Sequence, residues 1–405
     1  MATLYVSPNG SGSRSGSSWS NAATINTLDR LVDAAGPGGQ VLLRADAGSY
    51  RVTEPIVITS GGGAGRPVVI RGVDRDGAAM HAVLTGSRPA DWSDGDKRGN
   101  ELFKLLDGAD NLKFADLNIE NTGVAFRAGA DISRITIDDV DAQNVARFFE
   151  NWASGGEDSA TVTRLTIRDV EVTGFSEGAI RLRYDTHKVT IRDVHADAAG
   201  QIGDSWISGV QLEGTVHDVL IDQSSMRGAQ STGGASSYWN GDGFAAERGV
   251  YGLRIEDSVA HGNTDAGFDL KSSDTLLVRT LSENNGRNYR FWGEADLIES
   301  IGLNPKIRGG SSSQNQVWLA PGSDVLIQGS QFRDSSRQTV AFEGKEAAVA
   351  FDDVDVWRAA GTRLTSLYDT TIKGLNEIDD HLLRPEAGDD QFAEFLYMPS
   401  HDSTL

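Results

Sequence analysis

The chain of 405 residues contains no cysteine, which excludes disulfides, thiol catalysis and thiolate metal sites. Positive charge is scarce: 37 Lys and Arg stand against 58 Asp and Glu, a net charge of −21. No basic surface is available for nucleic acid, whereas an acidic balance suits a calcium-binding extracellular protein. No apolar run approaches the roughly 18 residues of a membrane span. The amino terminus carries no signal peptide, so a secreted or cell-surface location is expected through a leader already removed or another export route. The 7 histidines show no H-x-x-x-H spacing and are assigned no metal. Gly61-Gly62-Gly63 is not followed by G-K-[ST] and reads as a turn, not a phosphate loop.

What the chain does have is repetition. Segments 180–183, 210–213, 244–247, 268–271, 289–292, 317–320 and 340–343 can be laid over one another, as in Ile180-Arg181-Leu182-Arg183 and Phe268-Asp269-Leu270-Lys271. Their first and third residues are apolar or small, and the second and fourth are mostly polar. That is the period of a strand with one buried face. A second strand-like motif precedes most of them: Ile135-Thr136-Ile137, Leu165-Thr166-Ile167, Val189-Thr190-Ile191, Val219-Leu220-Ile221, Leu253-Arg254-Ile255 and Val325-Leu326-Ile327. Repeats of about twenty to thirty-five residues that cannot bury their own apolar faces must stack. The chain reads as an all-β protein, a parallel β-helix of about ten coils, and the 47 glycines suit a fold that turns every few residues.

Stacking converts sequence columns into spatial ones, because neighbouring strands lie about 4.8 Å apart. The outward second column runs Arg181, Gln211, Ala245, Asp269, Arg290, Trp318. The fourth runs Arg183, Glu213, Glu247, Lys271, Trp292. Together they make a ribbon of alternating charge along which a polymer could lie. Thr3-Leu4-Tyr5-Val6 begins the chain as a strand, and Ala22 to Ala35 reads as an amphipathic helix stopped by Gly36-Pro37-Gly38-Gly39, placed to cover the open end of the solenoid. Val41-Leu42-Leu43 and Val68-Val69-Ile70 are expected first-coil strands. Residues 90–100 form a charged loop, and insertions at 152–160, 200–208 and 230–240 are each expected just before the stacked strand. The domain is expected to span 1–370, with 371–405 an acidic cap or tail.

The chemistry concentrates in three consecutive coils: Asn240-Gly241-Asp242-Gly243-Phe244, then Asn263-Thr264-Asp265-Ala266-Gly267-Phe268-Asp269-Leu270-Lys271, then Asn284-Asn285-Gly286-Arg287-Asn288-Tyr289-Arg290-Phe291. Here, over roughly fifty residues, the sequence resembles polysaccharide lyase family 9, the group of pectate lyase L. The family's coils read G-D-G-F, N-S-D-D-G-[WY]-D and N-G-x-G-F-K. The resemblance implies a right-handed parallel β-helix, four Asp that bind calcium, and a final Lys that removes a proton from the sugar. By position, calcium ligands fall on Asp242, Asp265 and Asp269. Ala266 stands where the second Asp of the pair would be, and Arg290 stands at the position of the base.

The same residues have a physical reading. Three carboxylates from adjacent coils, about 5–8 Å apart, repel one another unless a cation such as Ca2+, which takes about 6–8 oxygens, relieves them. The alternative is that Asp242 and Asp265 cap turns beside Gly243 and Gly267. β-Elimination next to a uronic acid needs a cation on the carboxylate and a base for the α-proton. Arg290 has the position but a pKa above about 12, and Lys271, one coil away, competes for the role. An ion-pair ladder, Asp269 with Arg290 and Glu247 with Lys271, is the bland account of both. Arg181, Arg183, Gln211, Glu213 and Glu247 are expected polymer contacts, with Trp292 and Trp318 stacking on sugar rings; the alternatives are that the two arginines pair with Glu213 and solvent and that the indoles pack beneath an adjacent loop.

Three functions follow. The first is a calcium-dependent lyase on an acidic polysaccharide, acting as a monomer without nucleic-acid or membrane partners. The second is a β-helix glycoside hydrolase using Glu213 with Glu247 or Asp242 with Asp269. The third is a non-catalytic glycan-binding solenoid of the adhesin or phage-fibre kind.

Overall fold

The computed structural model describes residues 1–203, 205–232, 237–336 and 339–383. Its strands join into one 32-stranded sheet wound on itself. Each coil contributes a strand to each of three walls, for example Tyr251–Glu256 to the first, Val259–His261 to the second and Ala266–Leu270 to the third. All three pair in parallel with the equivalent strands one coil away. The chain is therefore a parallel β-helix. Eleven successive pairings on the third wall, from Ile56–Ile58 to Arg363–Tyr368, give it twelve rungs among the described residues, somewhat more than the sequence implies.

The interior repeats as strictly as the walls. Phe244, Phe268 and Tyr289 stack behind the third wall with centroids 5.0 and 5.2 Å apart and planes within 9°. The buried Tyr289 hydroxyl donates toward the carbonyls of Thr280 and Ile301 at 3.0 and 2.9 Å. Corners between the first and second walls are turned by single left-handed residues, Asp139, Asp169, Asp193, Gln223 and Asp257, with φ between 46° and 57°. Asp and Asn tolerate that conformation better than other side chains with a Cβ. Several of the chain's carboxylates are thus corner residues.

The amino-terminal cap begins later than its apolar spacing implies. A 3-10 turn at Ile25–Thr27 leads into an α-helix at Leu28–Ala35, whose Leu28, Leu31, Val32 and Ala35 are buried. The carboxylate of Asp29 accepts hydrogen bonds from the amide and hydroxyl of Thr59, fixing the helix to the end of the solenoid. At the other end the ladder passes the boundary expected at 370. Thr371–Lys373 and Ile378–Leu382 still pair with the preceding coil, and the rest of the tail lies outside the described residues. Among the described residues no helix is long and apolar enough to cross a membrane.

Three long connections approach the third wall from the second-wall corner: 86–100, 198–207 and 228–241, the last two described only in part. The 152–160 insertion departs from expectation. It follows the third-wall end of Ile132–Asn151 and precedes Val162, so it lies on the opposite bank of that wall.

Candidate functional site

The outward column holds as read. Arg181 pairs with Gln211, Gln211 with Ala245, Ala245 with Asp269, Asp269 with Arg290 and Arg290 with Trp318. The seventh segment does not fit its assigned register. Val317 pairs with Phe342, not Val340, so Glu343 continues the column after Trp318. A two-residue slip leaves the alternation unchanged and is invisible to it. The fourth-position residues follow the same ladder, with the amides of Glu213, Glu247, Lys271 and Trp292 each donating to a carbonyl one coil back.

Asp265 is the hub of the acidic cluster and is fully buried. Its Oδ1 accepts from Arg287, and its Oδ2 accepts from Arg290 Nη1 at 2.9 Å and from the Tyr238 hydroxyl. Both guanidiniums also donate to the Tyr238 oxygen, at 3.0 and 3.1 Å. Asp269 Oδ1 accepts from the Trp292 indole N–H at 2.8 Å and lies 3.6 Å from Arg290 Nε. Its Oδ2 lies 3.4 Å from Lys271 Nζ, which donates to Glu247 Oε1 at 2.6 Å. Trp292 and Trp318 meet at 5.0 Å, and the Arg290 guanidinium carbon stands 4.6 and 5.1 Å from their ring centres.

Asp242 is different. Its Oδ1 accepts the Ala266 amide at 2.9 Å. Burial, then the nearby charges of Asp269 and Asp265, push its carboxyl well above the ordinary range. Burial also raises Asp265, against the pull of Arg290 and Arg287. For Arg290 burial works the other way, but Asp269, Asp265, Tyr238 and Asp242 outweigh it and hold the guanidinium cationic. Lys271 behaves similarly: burial opposes its charge, and Asp269 and Glu247 prevail. The expectation that Arg290 is a base therefore meets an environment that raises its pKa still further.

Upstream on the same wall lies a second network. Glu213 bridges Arg181 at 2.6 Å and Arg183 at 2.8 Å, and Arg183 stacks 4.0 Å from the Trp152 ring. Further back, Glu101 pairs with Arg127, Glu150 lies 3.3 Å from Arg147, and Glu177 is held by Arg147 at 3.2 Å and by Arg98 at 2.6 and 2.8 Å. Burial opposes the charge of Glu177, yet its arginines keep it below the usual carboxylate range.

The donor set of Asp242, Asp265 and Asp269 does not fit a resident calcium. Both oxygens of Asp265 face cations or a phenol, Asp269 faces an indole N–H and two cations, and Asp242 is pushed toward its neutral form. The trio is also absent from the groups, among the described residues, whose three ligand atoms lie within 4.8 Å of one another. Such groups occur elsewhere, including Asp222 with Glu256 and Asp257, and Asp185 with His187 and His217. The histidine pair has no sequence spacing to betray it. Register alone brings His187 onto His217, with rings 4.8 Å apart.

Tyr238 and Arg287 are site residues that pattern reading missed. Arg287 could have been found as the cross-rung partner of Ala266. Tyr238 arrives from a non-repeating loop, whose neighbour Trp239 packs on Gly309 and Gly310, where a Cβ on Gly309 would come within 2.2 Å of the indole.

No family model and no curated protein matches the chain. Among solved structures it is similar to the pectate lyase Pel9A, with a TM-score of 0.56 and 18% identity over 77% of this chain and 78% of that one. It is similar to the A-module of mannuronan C-5 epimerase AlgE6 from Azotobacter vinelandii, with a TM-score of 0.54 and 13% identity over 89% and 95%. It is also similar to the GH136 lacto-N-biosidase from Eubacterium ramulus, with a TM-score of 0.50 and 9% identity over 94% and 68%. At these identities, what the chain shares with them is the parallel β-helix.

Proposed function

We propose that this chain binds a uronate-containing acidic polysaccharide along its third wall and cleaves it by β-elimination. The observation that carries the reading is the convergence on one outward face of Arg290, Lys271, Trp292 and Trp318 beside the buried carboxyl of Asp242. The guanidinium supplies the positive charge that an enolate-like intermediate needs, the indoles offer faces to sugar rings, and the wall continues to Arg181 and Arg183 for further carboxylates. Two of the structures that share the fold act on pectate and mannuronan, both polymers of uronic acids.

Lys271 is the better base of the two candidates. An amine releases a proton far more readily than a guanidinium, although Asp269 and Glu247 hold the Lys271 ammonium charged and confine its neutral form to alkaline pH. In the step, Lys271 in its neutral amine form takes the proton α to the uronate carboxylate. The C–H electron pair becomes the new C4–C5 double bond, the C4–O4 bond breaks, and the departing oxygen takes the proton of Asp242. Arg290 stays cationic throughout and stabilises the intermediate.

One observation favours a second reading, hydrolysis by Asp242 and Asp269. Burial pushes the first toward its neutral form, whereas the second accepts an indole hydrogen bond and faces Lys271. Two carboxyls in contrasting surroundings are how acid and base roles are divided in hydrolases. Incubation with polygalacturonate and alginate separates the outcomes. Ultraviolet-absorbing unsaturated ends are expected; saturated ends would establish the hydrolase, and tight binding without cleavage a glycan-binding module.

A further inference from the structure

We propose that the acidic cluster carries its own counter-charge in Arg287 and Arg290, so that it binds no divalent cation, and that the pairing of Ala266 with Arg287 is what excludes one. The inference concerns the cation at the site and goes beyond the reaction proposed above.

The charges close without an ion. Asp265 and Asp269 are answered by Arg287 and Arg290, and no oxygen of Asp265 is left facing open space. Asp242 spends its Oδ1 on the Ala266 amide. Calcium needs about 6–8 oxygens around it, yet the groups bordering Arg290 beyond the carboxylates are the ring faces of Trp292 and Trp318 and the Tyr238 phenol. Indole faces suit a planar, weakly hydrated guanidinium better than a compact hydrated ion. Ala266 and Arg287 are direct partners on adjacent rungs. Exchanging that pair for a carboxylate and a neutral side chain would change the local charge by two units, the charge of one divalent ion.

The experiment is thermal unfolding and calorimetry with calcium. The wild-type chain should show no calcium-dependent rise in Tm that Asp265→Asn removes; comparison with Asp265→Asn discounts ions held by other surface carboxylates. Ala266→Asp combined with Arg287→Asn should acquire binding in the millimolar range or tighter, read as a Tm rise of at least about 1–2 °C at about 10 mM calcium. Should the double variant fail to fold, Arg287→Asn alone is measured, with weaker binding expected. Calcium binding by the wild type that Asp265→Asn abolishes overturns the proposal, as does the absence of any calcium effect in whichever variant folds. Because these readouts are binding and stability, they stand apart from whether the chain cleaves any polymer.

Discussion

Two charged networks share the third wall and are built from the same kinds of residue, yet their carboxyls are driven in opposite directions. In the upstream network Glu177 is gripped by Arg98 and Arg147 and held below its usual range. In the downstream network Asp242 accepts a backbone amide and feels the charge of Arg290, yet burial with neighbouring carboxylates pushes it up. The upstream arrangement is what a stable protein does with a half-buried acid: it surrounds the acid with hydrogen-bonded cations. The downstream one keeps a carboxyl where its charge is unwelcome, beside a lysine paired with Glu247 and two indoles. Burial alone therefore does not mark a site on this wall. On the proposed reading, what marks one is an acid that burial pushes toward its neutral form.

Substitutions on each side can break that contrast. The largest effect is expected at Lys271. Lys271→Ala should lower turnover of a susceptible uronate polymer by about 10²–10⁴-fold, the usual worth of a general base, while polymer affinity changes little. Loss of affinity with turnover per bound chain intact would make Lys271 a binding residue and remove the base from the mechanism.

Upstream, Arg147→Ala should cost stability. Leaving Glu150 and Glu177 without that partner amounts to breaking a buried pair, about 3–5 kcal/mol, measured by denaturant unfolding, with turnover of the folded fraction preserved. The wild-type network also sets an acid limit. Because the folded pKa of Glu177 lies below its unfolded value, its contribution is full above about pH 4.3 and is lost as pH falls through the folded value.

The smallest effect has the opposite sign. The folded pKa of Asp242 is raised, so any stability from its protonated form is complete below about pH 3.9 and is lost as pH rises through the folded value. Asp242→Asn should therefore stabilise the protein at neutral pH by about 1 kcal/mol, in the range of single substitutions that relieve a functional compromise, with the gain shrinking toward pH 4. A destabilised Asn variant would place Asp242 with Glu177, as a structural acid.

The walls were legible because alternation reports a buried face directly, and the second-wall strands were not because Ser225–Arg227 and Val259–His261 are three residues long. The ribbon of Arg181, Gln211, Asp269, Arg290 and Trp318 followed from register alone. What sequence could not supply was occupancy. That Asp265 is already bound by two arginines depends on side-chain reach across rungs, and the Tyr238 contact depends on a loop without any repeat. The misplaced Val340 segment has the same origin as the successes, since a period of two specifies which face a residue takes and leaves its rung position free by whole periods.

Register also makes length discrete. From Arg181 the column steps through Gln211, Ala245 and Asp269 to Arg290, four steps of about 4.8 Å, or about 19 Å in all. Loops can grow or shrink at the corners without altering that figure, because each rung is fixed by its neighbours. Only the gain or loss of an entire coil changes it, and then by one full step. The wall is a ruler graduated in whole coils, so a relative that grips a longer or shorter stretch of polymer must differ by an integer number of turns.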